Sequence, residues 1–214
     1  MDPASAIPMF PLESALLPGD ELPLRIFEPR YSALVRDCLD SAEKSFGVVL
    51  IARGREVGGG EERCEVGALA RIAEFEDFGG GRYRLRCPVQ QRIRVREWLT
   101  DDPYPRAVVE PWPDDPGPVG ADELRTAEDE IYSLFETIAS ARGVGPPDRD
   151  ELLGAAIPEI GERLYALASR VPMGTADRYA VLAAPSPAAR LVALREGVQT
   201  VTAMVQFQLA PPSE

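Results

Sequence analysis

The chain has 214 residues, 45% of them hydrophobic and 27% charged, a composition of folded globular proteins and not of disordered, collagen-like or coiled-coil sequences. Its 23 basic and 35 acidic side chains give a formal net charge of -12, which disfavours nucleic acid or an anionic membrane as a partner except at a local basic patch. It contains no histidine and a single lysine, Lys44, so every histidine-based triad, dyad or metal shell is excluded.

The amino terminus, MDPASAIPMF, lacks the basic start and apolar core of a signal peptide, and no apolar run approaches the length of a membrane span, so a cytoplasmic location is expected. Ile7–Leu12 and Leu22–Ile26 are short apolar runs bounded by prolines, which suits edge or bent strands because proline cannot donate to a ladder. Pro29 then opens a helix in which Tyr31, Leu34, Val35, Cys38 and Leu39 form one apolar stripe. Phe46–Ala52 has the β-branched, unbroken apolarity of a strand buried on both faces. The polar, glycine-rich segment Arg53–Glu62 is expected to be a mobile loop. Strands are predicted over Val66–Phe78, Tyr83–Val89, Arg92–Leu99 and Ala107–Glu110. Together these describe a compact β-barrel-like domain with one helix.

A cluster of prolines from Pro103 to Pro118 marks a domain boundary, giving residues 1–113 as a β domain and 119–214 as a helical bundle, an α+β chain overall. Acidity is concentrated in the second part, net -8 against -4 for residues 1–112. Asp122 is placed as the cap of a helix lined by Leu124, Ala127, Ile131, Leu134, Phe135 and Ile138. Helical stretches follow near Arg149–Ala156, Glu159–Arg170 and Ala176–Ala183. The last helix opens with Ser186 as cap and Pro187, and its seam of Leu191, Leu194, Val198, Val201 and Val205 reads as packing within the bundle.

Few residues offer chemistry. The three cysteines, Cys38, Cys64 and Cys87, form no C-x-x-C pair and read as reduced, buried small hydrophobes. No phosphate-binding loop, G-x-S-x-G or G-x-G-x-x-G occurs, and Lys44 reads as a solvated turn residue. The carboxylate pairs Asp101-Asp102 and Asp114-Asp115 read as loop and cap residues. No catalytic residue, metal or cofactor is assigned. Arg82, Arg84 and Arg86 alternate with apolar residues, as do Arg92, Arg94 and Arg96. If their strands paired in register, a six-arginine face able to bind the phosphates of RNA would result. The plainer reading is a solvated face laced with ion pairs, Glu74 and Glu76 standing close by in sequence. Trp98 and Trp112 could fill the domain junction or line a groove.

The motif order identifies more. IPMFPLESALLPGDELPLRIFEPRY, residues 7–31, strongly resembles the opening of the Lon protease amino-terminal domain, with F-P-L at Phe10–Leu12, L-P-G at Leu17–Gly19, L-P-L at Leu22–Leu24 and I-F-E-P-R-Y at Ile26–Tyr31. FGVVLI (46–51), EVGALARI (65–72) and RYAVLAAPSPAARLVAL (178–194) are similar to later family segments. Where the family usually has a glycine and a basic-aromatic pair, this chain reads Cys87-Pro88-Val89-Gln90-Gln91-Arg92-Ile93, so no binding role is carried over to that turn. The resemblance implies a PUA-like pseudo-barrel followed by a helical bundle. It also implies a non-catalytic module that binds unfolded or tagged polypeptide or acts as an adaptor, with a Lon-type protease as a candidate partner. The ATPase and Ser-Lys peptidase domains have no counterpart in these residues. For such binding an apolar groove or open strand edge is expected, with Leu16, Leu17, Phe27, Phe78, Trp98 and Trp112 as candidate contacts.

Overall fold

A computed structural model of the chain describes residues 5–53, 62–155 and 157–209. The expected mobile loop falls almost entirely on residues 54–61, outside the described residues, as does Ala156. The chain divides into two compact units, Met1–Pro113 and Asp114–Glu214.

The first unit holds β1 (Ser5–Leu12), β2 (Glu21–Ile26), α1 (Pro29–Asp40), β3 (Ser45–Arg53), β4 (Glu62–Arg71), β5 (Glu74–Asp77), β6 (Tyr83–Trp98) and β7 (Arg106–Pro111). Their hydrogen-bonded order is β2-β6-β4-β3-β1-β7, with β5 also on β6, and a β6–β7 pairing closes β6, β4, β3, β1 and β7 into a barrel. Among the described residues only β1 and β3 pair in parallel. The N-terminal half of β6 leaves the barrel and carries β2 on one edge and β5 on the other, a three-stranded ribbon.

Two apolar cores follow from strand alternation. Met9, Val49, Leu69, Ile93, Val95, Ala107 and Val109 fill the barrel. Space there is tight: a Cβ on Gly47 would lie 2.4 Å from Met9 Sδ, and one on Gly67 would lie 2.2 Å from the Val48 carbonyl oxygen. Alternate residues of the same strands, Phe10, Phe46, Val48, Ala68 and Ala70, point to the outer face. There they pack against Leu22, Leu24 and Ile26 of β2, Tyr83, Leu85, Cys87 and Val89 of β6, and the Tyr31, Leu34, Val35 and Cys38 stripe of α1.

Two expectations about the strands need correction. Val66–Phe78 is two strands, because the chain leaves β4 at Ile72, whose N–H donates to the Lys44 carbonyl, and restarts as β5 along β6. Conversely, the stretches expected over Tyr83–Val89 and Arg92–Leu99 form one 16-residue strand ending at Trp98, with no turn between them.

The second unit contains α2 (Ala121–Ala141), α3 (Arg149–Leu153), α4 (Ile160–Ala168), α5 (Thr175–Ala183) and α6 (Pro187–Leu209). Gly120, rather than Asp122, occupies the N-cap of α2, and its N–H donates to Glu123 Oε2 at 2.8 Å. Pro187 opens α6, with Ser186 Oγ accepting the Ala189 N–H at 3.3 Å. Leu191, Leu194, Val198 and Val201 are buried where α6 packs on α2, α4 and α5. Asp114, expected as a loop or cap residue, holds the fully buried Arg190: Nη1 donates to Asp114 Oδ2 at 2.8 Å, and the guanidinium lies 3.8 Å from the Tyr165 ring centre. Arg163, also buried, donates to Glu128 Oε1 at 2.6 Å and to the Leu153 carbonyl at 2.8 Å. Burying a charge is costly unless donors of the group find such partners.

Candidate functional site

The register of the ribbon decides which candidate residues meet. Tyr83 of β6 pairs with Ile26 of β2 on one side and Asp77 of β5 on the other. Both partner strands run antiparallel to β6, so Phe27 and Phe78, each one residue further on, leave the ribbon at the same end. Two strand spacings separate their chains, about 10 Å. Phe27 is 67% exposed and Phe78 48%.

Phe78 is held by a hairpin over Gly79–Gly81, all three at positive φ, where residues other than glycine carry a steric penalty. The Phe78 N–H donates to the Arg82 carbonyl at 3.0 Å. The Ser32 hydroxyl lies against the carbonyls of Gly81 and, at 3.1 Å, Glu28, which ties the hairpin to the first turn of α1. Pro29 sits at the start of that helix, and the Glu28 carboxylate accepts the Arg30 Nε–H at 3.2 Å.

Beside Phe27 a cavity of about 230 Å³ opens, lined by Phe10, Leu12, Leu24, Arg25, Ile26, Phe27, Glu28 and Tyr31. Phe10 and Tyr31 stack at 4.1 Å between ring centres to form part of its wall. Its volume lies below the roughly 300–1,000 Å³ of drug-sized ligand sites, so it accommodates a side chain or two. Cys38 and Cys87 sit in the adjoining core, where burial pushes both thiols up to about 12. They are held as neutral thiols and offer no nucleophile. Cys64 differs from expectation in being half-buried. Among the described residues no group of three or more potential metal ligands occurs, and no helix is long and apolar enough to cross a membrane.

The other candidates lie elsewhere. Leu17 is fully buried, its N–H donating to Asp20 Oδ2 at 2.7 Å, and so has no surface for a ligand. Leu16 is half-buried against the outer-face core. Trp98 packs on the barrel core with the Arg63 guanidinium 4.8 Å from its ring. Trp112 lies beneath two guanidinium groups, Arg92 at 4.3 Å and Arg94 at 4.1 Å.

The six-arginine face does not form. Ala70 pairs with Val89 but Ala68 with Arg92, so Gln90 and Gln91 together oppose Leu69. This one-residue bulge reverses the alternation of β6. Before it, arginines face away from the outer-face core. Arg84 donates to Glu76 at 3.0 Å, and Arg86 to Glu21 at 3.0 Å and Glu74 at 2.6 Å. The Arg86 guanidinium holds the Glu74 carboxyl below the usual carboxylate range. After the bulge, Ile93 and Val95 enter the barrel while Arg92 and Arg94 turn to the opposite face. Arg92 is only 5% exposed, and Arg96 is paired with Glu110. Arg82 stays exposed at the hairpin, its N–H donating to the Gly79 carbonyl.

Sequence reasoning missed Arg25 and Phe75. Arg25 is exposed at the cavity mouth, and Phe75 is 52% exposed between Glu74 and Glu76. The period-two pattern of EFED carried the signal for Phe75; nothing local marked Arg25.

Residues 6–199 match the sequence profile of the ATP-dependent protease La (LON) substrate-binding domain. Lon protease 1 of Herpetosiphon aurantiacus is 26% identical over 86% of the chain and 23% of its own length. Lon protease of Anaeromyxobacter dehalogenans is 31% identical over 51% of the chain and 13% of its own length. The chain thus spans less than a quarter of these relatives. The crystal structure of a Lon N-terminal domain protein from Xanthomonas campestris superposes with a TM-score of 0.64 at 27% identity, covering 90% of this chain and 98% of that one. The N-terminal domain of Mycobacterium avium complex Lon protease shares the fold, with a TM-score of 0.58. The barrel, its ribbon, the helical unit and the profile spanning both together assign the chain to the Lon substrate-binding domain family.

Proposed function

We propose that the chain is a non-catalytic recognition module that binds unfolded or tagged polypeptide, in the cytoplasm, as a substrate-binding or adaptor element for a Lon-type protease. The observation that carries this reading is the exposed pair Phe27 and Phe78 at one end of the ribbon, beside an apolar cavity sized for side chains. Folded proteins bury such side chains, so a surface offering aromatic contact distinguishes unfolded from folded partners. The nucleic-acid reading lacks a platform, because Arg84 and Arg86 lie on the face opposite Arg92 and Arg94, and these four and Arg96 meet carboxylates or Trp112.

The test compares binding of a denatured reporter with binding of its folded form, for the intact chain and for a Phe27→Ser/Phe78→Ser variant. Preferential binding of the denatured form is expected. Losing the contacts of both rings should weaken it at least about tenfold, since burying one phenylalanine is worth roughly 1.5–3 kcal/mol. Equal or absent binding of the two reporter forms would overturn the proposal.

A further inference from the structure

The ribbon has two edges, and they are treated differently. β5 is short, and all four of its residues, Glu74, Phe75, Glu76 and Asp77, are exposed; acidic side chains on an edge discourage another strand from pairing there. β2 is guarded only in part. The Val89 N–H donates to the Asp20 carbonyl at 2.8 Å, so Asp20, and by alternation Leu22, Leu24 and Ile26, turn their backbone groups toward β6. Glu21, Pro23 and Arg25 therefore turn theirs to the open edge. Pro23 fits there because it has no N–H to offer. The Arg25 N–H and C=O remain, beside the cavity.

The cavity runs along this edge. Leu24 and Ile26 face the core, Arg25 faces the opposite side, and all three line it. Phe10 and Leu12 of β1, Phe27 and Tyr31 of α1 also line it. An apolar side chain projecting inward from a strand laid along β2 would enter it. The charge of the occupant follows from the exposed face of β2, opposite the core. Arg25 stands directly opposite Arg84, and like charges in register repel. Arg84 already has Glu76, whereas Glu28 at the cavity is engaged by Arg30. The exposed face at Arg25 thus has room for one more carboxylate.

We propose that the Leu24–Phe27 edge of β2, bounded by the guard residue Pro23, takes up an extended polypeptide segment as an added strand, with an apolar side chain in the cavity and an acidic one beside Arg25. This rests on the polypeptide-binding reading and specifies its mode: backbone hydrogen bonds supply affinity that tolerates varied sequences, while alternate side chains supply selectivity.

The test uses a short synthetic peptide that alternates apolar with acidic residues, and two copies of it N-methylated at odd or at even positions. Binding is followed by fluorescence anisotropy, and amide exchange at Arg25 by NMR. One methylated copy should bind about fivefold more weakly and the other within about twofold, because a lost hydrogen bond costs about 1 kcal/mol and methylation of the outward amides costs none. The Arg25 amide should exchange more slowly in the complex. Arg25→Glu should reverse the preference between the acidic peptide and its lysine counterpart. Equal effects of the two methylation patterns, or an unprotected Arg25 amide, with binding of the denatured reporter intact, would overturn strand addition alone. Failure of the reporter to bind would overturn the underlying function as well. A dimer of the free protein that Arg25→Pro dissociates would assign the edge to a second copy and also overturn the proposal.

Discussion

Tyr83–Val89 and Arg92–Trp98 are two stretches of one strand with the same alternation of arginine and apolar residues, and they meet opposite surroundings. In the first, the apolar residues face the core outside the barrel and the arginines stand in solvent among glutamates. In the second, the apolar residues fill the barrel, and Arg92 and Arg94 are covered by the Trp112 ring. The single extra residue at Gln90-Gln91 makes the difference. Alternation determines that two faces differ; which face is inside depends on pairing partners.

Deleting Gln91 attacks this contrast most directly and should have the largest effect. Without the bulge, Ile93 and Val95 turn out of the barrel and Arg92 and Arg94 turn in. Exposing two aliphatic side chains costs roughly 1.5–3 kcal/mol each, before any penalty for burying guanidinium groups, against a total stability of about 5–15 kcal/mol for a typical domain. Loss of the cooperative unfolding transition of the first unit, followed by circular dichroism, is expected; a melt like that of the parent chain would show the assignment of faces to be wrong.

Trp112→Ala should have an intermediate effect. The ring covers two cations, one of them nearly buried, and such contacts are worth up to about 2 kcal/mol each when desolvated. A loss of about 2 kcal/mol in urea unfolding is expected on that scale, and an unchanged midpoint would mean that the rings and guanidinium groups merely touch.

The smallest effect belongs to the ribbon. Glu74→Gln removes a carboxylate from Arg86, but both side chains are exposed and Arg86 keeps Glu21. Exposed pairs exchange solvent for a partner at little net gain. Denaturation midpoints measured at low and high salt should match those of the parent chain. A loss comparable with that of Trp112→Ala would erase the distinction between the two halves of β6.

Much of the local structure was legible because neighbouring residues encode it. The Pro29 helix start, the Tyr31 to Cys38 stripe, the apolar run of β3 and the α6 seam depend on spacings within one element. The candidate site was legible only in part. Phe27 and Phe78 stand among the candidate contacts of an apolar groove or strand edge, but their shared end of the ribbon follows from pairing with Tyr83, a residue far beyond Phe27 in sequence. Leu17 is a candidate contact by its apolar side chain alone, yet it is buried. Asp114 and Arg190 are separated by 76 positions, and no local pattern links them.

The amino-acid sequence by itself determined the kinds of element, their order, the absence of histidine chemistry and, through residues 7–31, the family. These depend on residue type and short-range periodicity, which survive without knowledge of neighbours. Tertiary structure alone decided which face of β6 is inside, which carboxylate meets which guanidinium, and that a side-chain-sized cavity lies along the open edge of β2. Those depend on register between distant segments, and a shift of one residue there turns every side chain to the other face.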